Sequence, residues 1–90
     1  MKRYLVVWSQ EALDEIAALW IAAPSEVRAA ILKAWRQVDD ELAQTPEELG
    51  ESRDAGKRIW FAPPLGVLFK IDVEKKEVRI LQVWKFRTRT

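Results

Sequence analysis

Apolar and β-branched residues dominate the short opening run RYLVVW, residues 3–8, and that pattern predicts a strand. The period then changes. Leu13, Ile16, Ala17 and Trp20 fall at the i, i+3, i+4, i+7 spacing that lays one apolar stripe along a helix. Ser9 stands where an N-cap belongs, and Glu11 stands in the first turn, where the helix dipole favours an anion. Pro24 ends this helix and Ser25 is the predicted cap of a second. Its apolar positions Val27, Ile31, Ala34, Trp35, Val38 and Leu42 keep the helical spacing until Thr45-Pro46 stops it. So short a connection predicts an antiparallel helix hairpin.

Residues 45–56, TPEELGESRDAG, mix Pro, Gly, Ser and charge without a period and read as a loop. Strands are predicted beyond it. Residues 58–61 form the first, and Pro63-Pro64-Leu65-Gly66 supplies the turn, because proline presets φ and cannot join a central ladder. Val67, Phe69, Ile71 and Val73 alternate with Leu68, Lys70 and Asp72, the period of two expected of a half-buried strand. Residues 74–77 turn the chain, residues 78–84 make the last strand, and residues 85–90 are a cationic tail. The predicted order is βααβββ. The fold class is α+β, a two-helix hairpin packed on a small, mainly antiparallel four-stranded sheet.

Composition narrows the chemistry. Ninety residues make one domain, residues 1–90, since a chain this short cannot supply two cores. With 49% hydrophobic and 32% charged residues it lies in the ordinary globular range. The sequence has no cysteine and no histidine, which excludes disulfides, thiolate nucleophiles and imidazole acid–base catalysis. Acidic residues interrupt the N-terminal apolar run before a signal-peptide core forms, and no run reaches membrane-spanning length, so a cytoplasmic protein without a membrane partner is expected. The net charge of +1 hides an asymmetry: residues 1–56 hold six Lys/Arg against eleven Asp/Glu, and residues 57–90 hold nine against three. A basic second half attracts phosphates or an acidic protein surface.

Side-chain alternation assigns faces to the predicted strands. Lys70 and Arg79 fall opposite the core set Val67, Phe69, Ile71, Val78 and Ile80, either to meet a ligand or simply to solvate the sheet. Trp20 and Trp35 belong to the helices' apolar stripes and read as core. Trp60 shares its parity with Arg58 and is expected on the open face with Leu68, Leu81 and Val83, where an aromatic beside cations suits base stacking or a partner's helix. Asp72 and Glu74 followed by lysines are similar to the acids of metal-dependent nucleases, but those acids come from separate strands and these lie in one turn. No cofactor or metal is expected.

The order of elements, together with Trp8-Ser9, Gly50-Glu51-Ser52-Arg53, Gly56-Lys57-Arg58, Pro64-Leu65-Gly66-Val67-Leu68-Phe69 and Val78-Arg79-Ile80-Leu81-Gln82-Val83, resembles the RelE/ParE superfamily of toxins from type II toxin–antitoxin systems. The resemblance spans nearly the whole chain. It implies a growth-inhibiting toxin neutralised by a cognate antitoxin, with one of two targets. RelE-like members cut messenger RNA on the ribosome, whereas ParE-like members bind DNA gyrase without chemistry of their own; a degenerate member would keep only antitoxin binding. Carried over by position, the RelE basic residues fall at Lys57 or Arg58 and at Lys85 or Arg87, the implied catalytic set. The usual third-strand arginine falls near Gly66, and the tyrosine of the family's C-terminal helix has no counterpart before Thr90. Lys70 or Arg79 would then substitute, and Arg53 and Trp60 join them as expected substrate or antitoxin contacts.

Overall fold

The structure, a computed structural model, describes residues 3–86. Strand β1 (Leu5–Trp8) leads into helix α1 (Gln10–Ala22), and Ala23 and Pro24 alone separate α1 from helix α2 (Ser25–Leu42). The chain then passes through the short strand β2 (Glu51–Ser52) to the three longer strands β3 (Lys57–Ala62), β4 (Leu65–Asp72) and β5 (Glu77–Lys85). The class is the α+β expected from the sequence, but the sheet has five strands, ordered β1-β5-β4-β3-β2. Only β1 lies parallel, against β5. The fifth strand comes from the segment read as loop: Glu51 and Ser52 pair with Ile59 and Arg58, too short a ladder to leave a period in the sequence.

The helix ends follow local chemistry. Ser9 caps α1 as predicted, its Oγ accepting the Ala12 N–H at 3.1 Å while donating to the Leu81 carbonyl at 3.2 Å. Ser25 does not cap α2. It is the first helical residue, and Pro24 takes the N-cap position without a side-chain bond. Arg28 closes the C-terminus of α1 instead, donating from Nε to the Trp20 carbonyl at 2.8 Å and from Nη2 to that of Ile21 at 3.1 Å.

One core lies between the helices and the sheet. It contains Ala12 and Ile16 of α1, Ile31, Ala34, Val38 and Leu42 of α2, and Leu65, Val67, Phe69, Val78, Ile80 and Val83 of the sheet. Each fully buried large aliphatic or aromatic side chain contributes about 1.5–3 kcal/mol. The α2 stripe is the predicted one, whereas that of α1 is turned: Leu13 and Ala17 are exposed, and Ala12 and Ile16 are buried. Trp35 is half-buried at the stripe's margin, its ring 5.3 Å from that of Trp8. Trp8 in turn donates from Nε1 to Asp39 at 2.8 Å.

A bulge decides the faces of β5. Phe69 pairs with Ile80 but Leu68 with Gln82, so Leu81 is an extra residue and the alternation shifts by one beyond it. Val83 is therefore buried with Val78 and Ile80, correcting its expected place on the open face. Past the end of β1, α1 covers the edge of β5: Ser9 N–H donates to the Ile80 carbonyl at 2.9 Å, and Val83 N–H donates to Glu15 Oε1 at 2.8 Å. Among the described residues no helix is long and apolar enough to cross a membrane.

Candidate functional site

Directly opposed residues share a sheet face, so the register lists what the helix-free side presents. Lys57 of β3 pairs with Lys70 of β4, and Lys70 pairs with Arg79 of β5. Three cations thus stand in one rung across adjacent strands, spaced by roughly 4.8 Å per strand. The next rungs are Ile59, Leu68 and Gln82, then Phe61, Gly66 and Trp84. The face grades from cationic through aliphatic to aromatic.

Like charges directly opposite one another repel and weaken a ladder, so the rung is not there for stability. Arg79 has one anion, Glu77 Oε1 at 3.1 Å. Neither Lys57 nor Lys70 has an ion pair among the described residues. Lys70 crosses beside Gly56, where an added Cβ would stand 3.7 Å from Lys70 Cε. Gly56 at φ +73° and Ala55 at φ 61° are both left-handed, and they turn the chain into β3 so that Lys57 opens the strand on this face. Beside the rung lies a depression of about 360 Å³ lined by Ser9, Glu11, Lys57, Leu68, Leu81 and Gln82. Glu11 reaches it from the first turn of α1 and accepts from Gln82 Nε2 at 3.0 Å. The sequence marks Ser9 and Glu11 only as a helix start; that they line one depression with Lys57 follows from the packing of the α1 start against β5, which leaves no periodic signal.

The remaining candidates are dispersed. Arg58 lies on the opposite parity to Lys57, and its guanidinium is committed to the β2 segment. Nε donates to the Leu49 carbonyl at 2.9 Å, Nη1 to Ser52 Oγ at 2.9 Å and Nη2 to the Gly50 carbonyl at 3.1 Å. Trp60 pairs with Val67 and packs half-buried against the core, so its expected place on the open face is corrected. Ile59 and Phe61 hold that face instead. Three consecutive apolar residues fit either parity, and the choice is fixed by partners on β4 rather than by β3 itself. Arg53 extends at the β2 edge, bonded to Glu51 at 3.3 Å and to the Ser52 carbonyl at 3.2 Å. Lys85 is exposed beside Leu65. It lies off the rung's parity and about 17 Å along β5 from Arg79, counting roughly five strand steps around the bulge. Arg87 falls outside the described residues. Asp72 Oδ1 accepts the Lys75 N–H at 3.0 Å and so serves its turn.

Away from this face, Tyr4 donates to Glu47 Oε2 at 3.0 Å. That hydrogen bond, followed by burial and the Glu47 charge, raises the Tyr4 hydroxyl above its ordinary pKa.

No family model matches the sequence, and no curated protein matches it. Solved structures do match the fold. A chain of the RelBE2 toxin–antitoxin complex from Mycobacterium tuberculosis superposes with a TM-score of 0.71 at 24% identity, over 96% of this chain and 94% of that one. A chain of the chromosomal ParDE toxin–antitoxin system of P. aeruginosa gives 0.76 at 20% identity, over 94% and 98%. The isolated RelE toxin of E. coli gives 0.56 at 17% identity, over 96% and 87%. The α+β fold expected from the sequence is the one these proteins share.

Proposed function

We propose that this chain is the toxin of a type II toxin–antitoxin system, that it stops growth by RelE-like cleavage of messenger RNA in the ribosomal decoding site, and that a cognate antitoxin neutralises it. The toxin reading is supported by the fold held in common with chains of RelBE2 and ParDE complexes. The RNA-directed reading is carried by one observation, the rung of Lys57, Lys70 and Arg79 on the open sheet face.

Cleavage requires the ribose 2′-oxygen to lose its proton and attack the neighbouring phosphorus, closing a 2′,3′-cyclic phosphate as the P–O5′ bond breaks and the 5′-oxygen takes up a proton, and negative charge gathers on the non-bridging oxygens. Cations fixed on strands meet that charge without reorganising, each such donor lowering the barrier by about 2.7–4 kcal/mol. Lys57 and Lys70 supply two ammonium groups. Arg79 supplies a planar fork suited to two phosphate oxygens, and its side chain stays half-exposed beside Glu77. Glu11, which lines one depression with Lys57, is the carboxylate we assign to take the 2′-hydroxyl proton, and a lysine ammonium of the rung returns a proton to the departing 5′-oxygen. An acidic antitoxin segment laid over the same rung neutralises it by occupancy.

One observation favours the gyrase-directed alternative: the place of the family's third-strand arginine is held by Gly66 with Trp84 over it, which makes a binding surface rather than a charge. Inducing the protein in cells separates the two. RNA cleavage gives discrete message ends in decoding-site register, lost in Lys70→Ala; intact messages with inhibited supercoiling and a DNA-damage response would replace it with the gyrase reading.

A further inference from the structure

At the end away from the cations, the open face carries three aromatic rings, Phe61, Trp84 and Phe86. The Phe61 and Trp84 centroids are 6.2 Å apart at 84°, and those of Phe61 and Phe86 are 5.1 Å apart at 79°. Gly66 makes the arrangement possible. A Cβ there would meet Trp84 Cε2, Nε1 and Cζ2 at 2.5, 2.6 and 2.7 Å, so the indole lies across the glycine backbone. Trp84 is thus a floor and Phe61 a wall perpendicular to it. Phe86 packs edge-on against Phe61, its N–H donating to the Pro64 carbonyl at 3.0 Å. None of the three belongs to the core, and Phe61 is 50% exposed.

Rings left half-exposed on a strand face lose apolar contact unless something covers them. The surroundings indicate what. From the cationic rung to the rings is four residues along β3, about 13 Å at ~3.3 Å per residue, a length that a few nucleotides of extended RNA cover. The rung between them, Ile59, Leu68 and Gln82, contains no acid, and the carboxylate of Glu11 at its β5 side is held by Gln82 Nε2. Phosphates on one end and an unpaired base on the other match this sequence of chemistries, because a base offers a π-face to the indole and an edge to the perpendicular ring.

We propose that Phe61, Trp84 and Phe86 form a stacking subsite for one unpaired base of the single-stranded RNA whose backbone lies on Lys57, Lys70 and Arg79. The subsite rests on the RNA-directed reading and adds to it a base position, set off from the phosphate contacts, at which the message is gripped.

The test uses a fluorescent hexanucleotide with 2′-O-methyl groups throughout, which cannot be cut, and six copies that each carry one abasic residue. Anisotropy titrations of the full-length protein should show one position where removing the base weakens binding by about five-fold or more. Phe61→Ala should weaken the intact oligomer by a similar factor and abolish the difference at that position. Phe61→Leu, which keeps apolar bulk without a π-face, should do the same with thermal stability preserved. Lys70→Ala should lower the salt dependence by about one phosphate contact and leave the abasic pattern in place. Unchanged affinity and pattern in both Phe61 variants, with Lys70→Ala still weakened, would overturn the subsite while leaving the RNA reading intact. Failure of the wild type to bind any oligomer would overturn the subsite, while cutting of a message on programmed ribosomes decides the RNA reading on its own. Loss of antitoxin affinity in the Phe61 variants, with RNA binding unaltered, would overturn the subsite and assign the rings to a protein partner.

Discussion

Gly66 shows how a single residue sets a surface. Its missing side chain is the space that Trp84 occupies, so Gly66→Ala forces the indole off the strand and is expected to cost about 1–3 kcal/mol, as overpacking does. Urea denaturation checks this, and combining it with Trp84→Ala should recover most of the loss, because the clash then has no second member. Tyr4 supplies a pH signature. Its hydroxyl is raised by the Glu47 hydrogen bond, so the unfolded chain ionises first, near pH 10, while the folded chain keeps the proton. The tyrosine's contribution is whole below that pH and is lost as pH rises through the folded value. Denaturation between pH 8 and 11 should therefore show a steeper alkaline loss in the wild type than in Tyr4→Phe; parallel curves would remove Tyr4 from the account. At this scale the sequence was legible where one residue answers to its neighbours, as Ser9 does to Ala12. It was silent where the partner is far along the chain, as with Gly66 and Trp84 or Tyr4 and Glu47.

Elements with many repeats of their period were readable before the structure. Helix α2 presents Ile31, Ala34, Val38 and Leu42 to the core as its spacing requires, and β4 alternates Leu65, Val67 and Phe69 inward with Lys70 outward. Short or interrupted elements were not. Strand β2 is too brief to show a period, the Leu81 bulge reverses the parity of half of β5, and Ile59-Trp60-Phe61 is apolar on both sides. Those three features explain why Trp60 was expected outside, why Val83 was, and why Arg58 was read as free for catalysis. Arg58 is better described as the fastening of β2. Arg58→Ala deletes its hydrogen bonds to Leu49, Gly50 and Ser52 and should cost about 2 kcal/mol, charged donors being worth about 1.5–3 kcal/mol. Hydrogen exchange should then rise through residues 49–53 before the rest of the sheet responds. Lysine at this position should not restore protection, since a point charge cannot reach the acceptors as a fork does.

Across the whole molecule, the charge asymmetry seen in the sequence becomes spatial. Glu11, Asp14, Glu15, Glu26, Asp39, Asp40 and Glu41 are carried on the helices, while Lys57, Lys70 and Arg79 occupy the sheet face the helices leave open. The basic half of the chain could be read from composition, but the meeting of these particular cations required the register of three strands separated by turns. That meeting is the basis of the proposed RNA-directed activity. The most direct test adds purified protein to ribosomes programmed with a defined message and maps the message ends. The wild type should cut within the decoding site, and Lys57→Ala, Lys70→Ala and Arg79→Ala, each still folded, should each slow the cut by about 10²–10³. A message left intact by the wild type, or cut at the full rate by the triple alanine variant, would contradict the account.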